Sequence, residues 1–414
     1  MTGAGGPGGV EWVGAEPEDV LDTAPRRRHR PPHWVILAVA AAAVLAGVVV
    51  VVTQNDSPAH RAPVAAGSSP PPAADVTPYR DFVAPPPPPI APPHRTPIVV
   101  TELGRPLLGV HGDWELFGRG DGAVVRIQFA RGRITRTTVP PLASDGPVTF
   151  LVGPHQAVIR PLDYVPGYVV PDGRRAIPAP GALFVGGPAY PGPAPDLVWT
   201  QSNGSVDDAL VLARIDGRPV HPRQRILVPS GFAPVGSDHA GHLLVSGVGG
   251  TYLDGPHGLT RITHGVVLAA GPTRWLTYDC DSRGRCAATV VDRTTGGRHR
   301  LPWSTVGLPG PVAPGSISPD GSTAALFRMD PQTSGMYRVE LLDLRTGNRM
   351  TPTVLLNAEN NYDQASALAW SPDGKWLFVA AANGELRAIN VHDHSVTTLL
   401  AQLPKLVQLA VRPG

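Results

Sequence analysis

Two stretches of this chain repeat one another, and together they limit what its second half can become. Ser316-Ile317-Ser318-Pro319-Asp320-Gly321-Ser322-Thr323-Ala324-Ala325-Leu326-Phe327 carries the same Ser-Pro-Asp-Gly as Leu368-Ala369-Trp370-Ser371-Pro372-Asp373-Gly374-Lys375-Trp376-Leu377-Phe378-Val379. In that tetrapeptide proline presets a turn, aspartate accepts from nearby backbone amides and glycine supplies a positive φ, so one strand ends and an antiparallel neighbour begins. A further strand and a polar turn follow each copy, at Val339 to Gly347 and at Leu386 to Val391. Ala288 to Gly296 has the same Asp-x-x-Thr-Gly ending as Val339 to Gly347. The repeat length of roughly 40 to 55 residues is that of four-stranded propeller blades. One such sheet cannot bury both of its faces; several arranged radially can.

The rest of the chain after Pro97 has the same texture. Short apolar and β-branched runs such as Ala123 to Phe129, Val148 to Val152, Ala209 to Ile215 and His242 to Ser246 alternate with Gly, Asp, Pro and Asn, and no amphipathic helix interrupts them. This predicts an all-β domain over 98–414. The Ser-Pro-Asp-Gly copies resemble those of the TolB-like and WD40-like β-propeller superfamily, most clearly from Pro314 to about Leu400. Upstream, Gly236-Ser237-Asp238-His239-Ala240-Gly241 keeps the position without the motif, and Asp145-Gly146 is weaker still. The resemblance implies a propeller; it implies little about activity, because propellers host many unrelated ones. Units near residues 110, 148, 197, 236, 273, 314 and 366 predict seven four-stranded blades, with six or eight as the alternatives. The final Leu409-Ala410-Val411-Arg412-Pro413-Gly414 looks like the opening of another blade. It is therefore expected to complete the first one, whose other strands lie between about Trp114 and Val139, and so to remove two open sheet edges.

Trp34 to Val52 is a run of nineteen residues without a charge, long enough to cross a hydrocarbon core of about 30 Å as a helix. A single transmembrane helix is expected over 34–53. Arg26-Arg27-Arg28-His29-Arg30 precedes it and places the amino terminus in the cytoplasm and the carboxyl side outside. Residues 1–33, rich in Gly, Ala, Pro and acids, are expected to be a disordered cytoplasmic tail. The valine block at the end of the run offers no small-residue cleavage site, which favours an uncleaved anchor over a signal peptide. Residues 54–97 follow as a proline-rich extracytoplasmic linker, with Pro85 to Pro89 unbroken. Such a segment favours extended polyproline II and reaches on the order of 100 Å.

Composition narrows the function classes. The chain has 35 Lys and Arg against 33 Asp and Glu, a net charge of +2, which is no basic field for nucleic acid. Lysine is confined to Lys375 and Lys405, a bias that reflects a GC-rich bacterial genome. Cys280 and Cys286 flank a five-residue loop between two apolar runs, and outside the cytoplasm they are expected to form a structural disulfide across a hairpin. There is no Gly-x-Ser-x-Gly elbow, no His-Glu-x-x-His and no Walker loop. His392-Asp393-His394 falls where the other repeats have a polar turn and reads as solvated. Neither a catalytic residue nor a metal or cofactor is expected. The best candidate for a recognition loop is the polar segment containing Asn357, Asn360, Asn361, Tyr362 and Asp363. The expected role is a monomeric, membrane-anchored, non-enzymatic module for binding, sensing or scaffolding. Its partner would be an extracytoplasmic protein, peptide or glycan, with the bilayer held by the anchor. The alternative is a propeller hydrolase or lyase acting on an envelope carbohydrate, which requires acids or histidines converging on the central channel.

Overall fold

The computed structural model describes residues 98–414, apart from 143–147, 163–166, 180–188, 202–208, 219, 222–223, 239, 256–257, 303–314, 331, 334–335, 358–366 and 400–401. The apolar run, the arginine cluster before it and the proline-rich segment lie outside the described residues. Among the described residues no helix is long and apolar enough to cross a membrane. The strands form an all-β propeller.

Each unit is a meander of antiparallel neighbours taken in chain order. Four sheets are single four-stranded meanders, spanning 148–178, 189–227, 233–263 and 368–399. The second strand of a meander is buried on both sides, as in Gln156–Pro161 and Glu115–Gly120. Sheets packed on both faces select continuous apolar runs over strict alternation. Outer strands carry polar, exposed residues, Arg298–Arg300 throughout and Thr397 and Thr398 in Val396–Leu399, which protects an open edge from pairing with another chain.

The first sheet is completed from both ends of the domain. Leu406–Arg412 pairs antiparallel with Glu115–Gly120, in register Glu115 with Arg412, and the order continues outward through Ala123–Gln128 and Arg133–Thr138. The closure expected from the carboxyl-terminal strand is therefore present. A fifth strand, Ile98–Glu102, lies outermost, paired with Arg133–Thr138. The closing strand also touches the innermost strands of the sheets on either side, Leu368–Trp370 and Val148–Val152. Trp114, Phe129 and Phe378 pack at this seam with ring centroids 4.5 to 5.7 Å apart, each pair adding about 1 kcal/mol to the burial of its rings.

Seven separate four-stranded sheets are not what the hydrogen bonds give. Five sheets stand apart, and the first of them has five strands. The sixth is nine-stranded: Val266–Ala270 and Gly315–Ile317 pair in parallel at Ala269 with Gly315 and Ala270 with Ser316. That contact joins the 266–300 meander to the 315–357 meander through their innermost strands. Gly315 is also tightly placed within its own meander, where a Cβ would lie 2.1 Å from the carbonyl oxygen of Ala325. Among the described residues the buried apolar side chains fall into seven clusters. Each bridges neighbouring meanders, such as Leu151, Val158 and Val198 or Leu276, Ile317 and Leu326.

Candidate functional site at the inner-strand mouth

The innermost strands of the first four sheets end together around a cavity of about 380 Å³. Its wall is mostly small and apolar, with Val152, Gly153, Pro191, Pro195 and Ile215 from the second and third sheets and Ala410 to Pro413 from the closing strand. Ser237, Asp238 and Arg412 are its polar side chains.

Asp238 sits in a turn that the sequence signals only faintly. Its amide donates to the His242 carbonyl at 2.9 Å and its carbonyl accepts from Gly241 at 2.9 Å. The corresponding bonds around Ser318 are both 2.8 Å, and those around Ser371 are 2.8 and 2.9 Å. The turn from Asp238 to Gly241 thus stands where Ser-Pro-Asp-Gly stands in the other two meanders, one residue shorter before the next strand, with the Asp238 carboxylate where those two have a serine hydroxyl. Oδ1 accepts the amides of Ala240 and His242, each at 2.9 Å, as Ser318 Oγ accepts Thr323 N and Ser371 Oγ accepts Trp376 N. Gly241 has φ +77° and abuts the third sheet. A Cβ there would lie 2.0 Å from the carbonyl carbon of Gly192, and the Gly241 carbonyl accepts from Trp199 Nε1 at 2.7 Å.

The carboxylate that replaces serine binds outside its own turn. Asp238 is 2 % exposed, and its Oδ2 faces Arg293 of the next meander and His242 Nδ1 at 3.2 Å. Arg293 also donates to the Gly271 carbonyl at 3.0 Å and lies 5.0 Å from the Trp275 ring centroid. Sequence reading overlooks both residues. The available signal was an ionisable side chain at the first position of a turn that otherwise begins with serine.

Arg412 is likewise committed. Its Nε donates to Glu115 Oε2 at 3.0 Å, one amino group reaches Asp172 Oδ2 at 2.7 Å, and the other bonds the Gly153 and Pro154 carbonyls at 3.1 and 2.9 Å. Its guanidinium carbon lies 4.6 Å from the Phe117 centroid. Arg126 bonds Glu115 from the other side, its Nε at 3.0 Å. Burial pushes the Glu115 carboxyl up, but the hydrogen bonds and charges of Arg126 and Arg412 outweigh it, so its pKa falls below the usual range. Burial pushes Arg412 down, and its bonds to Asp172 and Glu115 more than restore it. A buried cation also lies in the second sheet: Arg160 is 2 % exposed, donates to Thr200 Oγ1 at 2.6 Å, and is lowered by burial to about 10. It remains charged at neutral pH.

Of the residues singled out from sequence, Cys280 and Cys286 form the expected disulfide, at the tip of the hairpin joining Arg274–Cys280 to Cys286–Asp292. Asn357 ends a short strand, its backbone opposite Met336; Asn360, Asn361, Tyr362 and Asp363 lie outside the described residues. His392 and Asp393 occupy an exposed turn organised by Asn390 Oδ1, which accepts the His392 amide at 2.9 Å. Among the described residues no group of three or more His, Cys, Asp or Glu is placed to hold a metal ion.

Residues 336–409 match the family model described as the WD40 domain of anaphase-promoting complex subunit 4. No curated protein matches the chain. Among solved structures it is similar to TolB from Acinetobacter baumannii, with 13% identity over 73% of this chain and 67% of that one and a TM-score of 0.39. The periplasmic gluconolactonase of Pseudomonas aeruginosa has 13% identity over 72% and 98%, with a TM-score of 0.41. AztD from Citrobacter koseri has 11% identity over 73% and 98%, with a TM-score of 0.37. These proteins are what the chain is similar to; the propeller itself rests on the strand order.

Proposed function

We propose that this chain is a membrane-anchored β-propeller displayed outside the cytoplasm, where it acts as a non-enzymatic binding or scaffolding module. One observation carries the non-enzymatic part. The two ionisable side chains at the inner-strand mouth are both consumed by structural ion pairs, Asp238 with Arg293 and Arg412 with Glu115 and Asp172. General acid–base catalysis needs a group free to exchange a proton at the reacting atom, and a propeller hydrolase needs several such groups together. The location is supported by the apolar run after an arginine cluster and by a disulfide, a bond that persists in oxidising compartments. We also count the nine-stranded sheet as two blades. The support for that count is that, among the described residues, seven apolar clusters join successive meanders.

The test is proximity labelling in the native cell from a tag after Gly414, with protease accessibility of intact cells to fix the side of the membrane. A reproducible extracytoplasmic partner is expected. Protection of the tag by the intact membrane overturns the location. Turnover of envelope carbohydrate by the purified chain, abolished by Asp238→Asn, overturns the non-enzymatic reading.

A further inference from the structure

The disulfide staples a turn that packs on nothing. Asp281-Ser282-Arg283-Gly284-Arg285 is exposed throughout, yet its backbone is fully organised. Asp281 Oδ1 accepts the amides of Arg283 and Arg285, each at 2.9 Å, and Oδ2 accepts Arg285 Nε at 2.8 Å. Beside it runs the outer strand Arg298–Arg300, also exposed, with Arg300 opposite Thr289. The strand approaches the hairpin tip closely enough for the charge of Arg300 to act on Asp281. The Asp281 carboxyl is held below its ordinary value first by the Arg285 amide, then by the Arg285 side chain and Arg283 amide, and further by Arg300.

This leaves a charge imbalance. Arg283, Arg285 and Arg300 share a single exposed carboxylate, while Arg298 donates to the Ile262 carbonyl at 3.2 Å, and among the described residues neither Arg283 nor Arg300 has an ion pair. The chain as a whole is nearly neutral at +2, so the concentration is local. Arg298 and Arg300 are two apart on a strand and point to one face, about 7 Å from each other.

We propose that this hairpin and the strand beside it are the docking surface of the module for an acidic polysaccharide, a sugar polymer carrying carboxylates at intervals. The proposal rests on the binding-module reading and supplies its ligand class. Three features select that occupant. The guanidinium groups of Arg283, Arg285 and Arg300 belong to exposed residues spread along an edge. A lone small anion is held weakly in such water-exposed surroundings, whereas a polymer engages several cations at once. Among the described residues the large exposed apolar side chains lie away from this hairpin, apart from Val266 opposite Tyr278 on the adjoining strand. A protein partner needs an apolar or aromatic centre to desolvate, and a bilayer surface rewards apolar insertion. Finally, planar guanidinium matches carboxylate bidentately, and the staple fixes the loop before binding, which lowers the ordering cost.

The test is binding of the full chain, in neutral detergent, to polygalacturonate, with dextran, polyglutamate and anionic phospholipid vesicles as parallel arms. The Arg283→Ala/Arg300→Ala chain is expected to lose at least tenfold in affinity for polygalacturonate. Arg131→Ala/Arg345→Ala, the same charge change on exposed turns elsewhere, is expected to bind as the native chain does. Affinity is expected to fall as salt rises. The proposal is overturned if native chain and both variants bind alike, if the native chain ignores polygalacturonate, or if polyglutamate or vesicles bind as tightly. The assay is in solution and independent of the anchor, so a failure here leaves the location of the domain untouched.

Discussion

Arg412 and Glu115 stand 297 positions apart in the chain and are hydrogen-bonded neighbours in the first sheet, Nε to Oε2 at 3.0 Å. Their side chains are 11% and 10% exposed, so removing one partner strands the other away from water. Arg412→Met is expected to destabilise the domain by about 3 kcal/mol, less whatever Arg126 recovers by bonding Glu115 alone. Urea unfolding of Arg412→Met, Glu115→Gln and the double variant measures the coupling. Additive effects would show that the pair does not hold the ring shut.

The same pair sets an acid limit. Glu115 has a depressed pKa when folded, so the stability it contributes is fully present above the ordinary glutamate value of about 4.3. It is lost as pH falls through the lower folded value. Melting temperatures between pH 6 and pH 3 should therefore drop more steeply for the native chain than for Glu115→Gln, which begins less stable and has no such proton to take up.

Asp238 does two jobs that substitution separates. Asp238→Ser restores the hydroxyl found in the turns at Ser318 and Ser371 but leaves Arg293 without its carboxylate. It should still cost about 2 kcal/mol, and Asp238→Ala more, because the turn amides lose their acceptor as well. Combining Arg293→Met with Asp238→Ser should recover much of the loss in thermal melts.

Gly241 and Gly296 share a left-handed backbone, at φ +77° and +70°, but differ in surroundings. Nothing lies within 4 Å of a Cβ at Gly296, whereas one at Gly241 meets the Gly192 and Pro193 backbone at 2.0 to 2.2 Å. Gly296→Ala should cost about 1 kcal/mol, the strain of the conformation. Gly241→Ala should cost well above that or leave the chain insoluble. Equal effects in denaturant titrations would mean that the third and fourth sheets are not pressed together here.

Opening the Cys280–Cys286 bridge, which closes a short loop, should cost about 2 kcal/mol. Thiol titration of the native chain should find no free cysteine, and Cys280→Ala/Cys286→Ala should melt a few degrees lower.

Legibility in the sequence followed local chemistry. Where the turn is written out, at Ser318 to Gly321 and Ser371 to Gly374, strand, turn and partner strand were all readable. The closing strand was readable for the same reason, since Leu409 to Pro413 begins like Leu368 to Pro372. At Asp238 only the position was legible and the role of the carboxylate was not, because an aspartate closes a shorter turn there without resembling the motif. Its partnership with Arg293, 55 residues away, has no local signature at all. The parallel pairing of Ala269 and Ala270 with Gly315 and Ser316 was equally hidden. It depends on how closely two inner strands approach, which small side chains permit and do not announce. The mouth residues Gly153 and Arg412 come from opposite ends of the domain, and only closure of the ring brings them together.

Among the described residues the outermost strand Ile98–Glu102 pairs only with Arg133–Thr138, while the closing strand is at the opposite margin of the same sheet. Tension arriving through the chain before Ile98 therefore falls on the rim. It can strip that one strand away, bond by bond, while the inner seam stays shut. The element exposed to such a load is thus separated by three strands from the one that closes the ring.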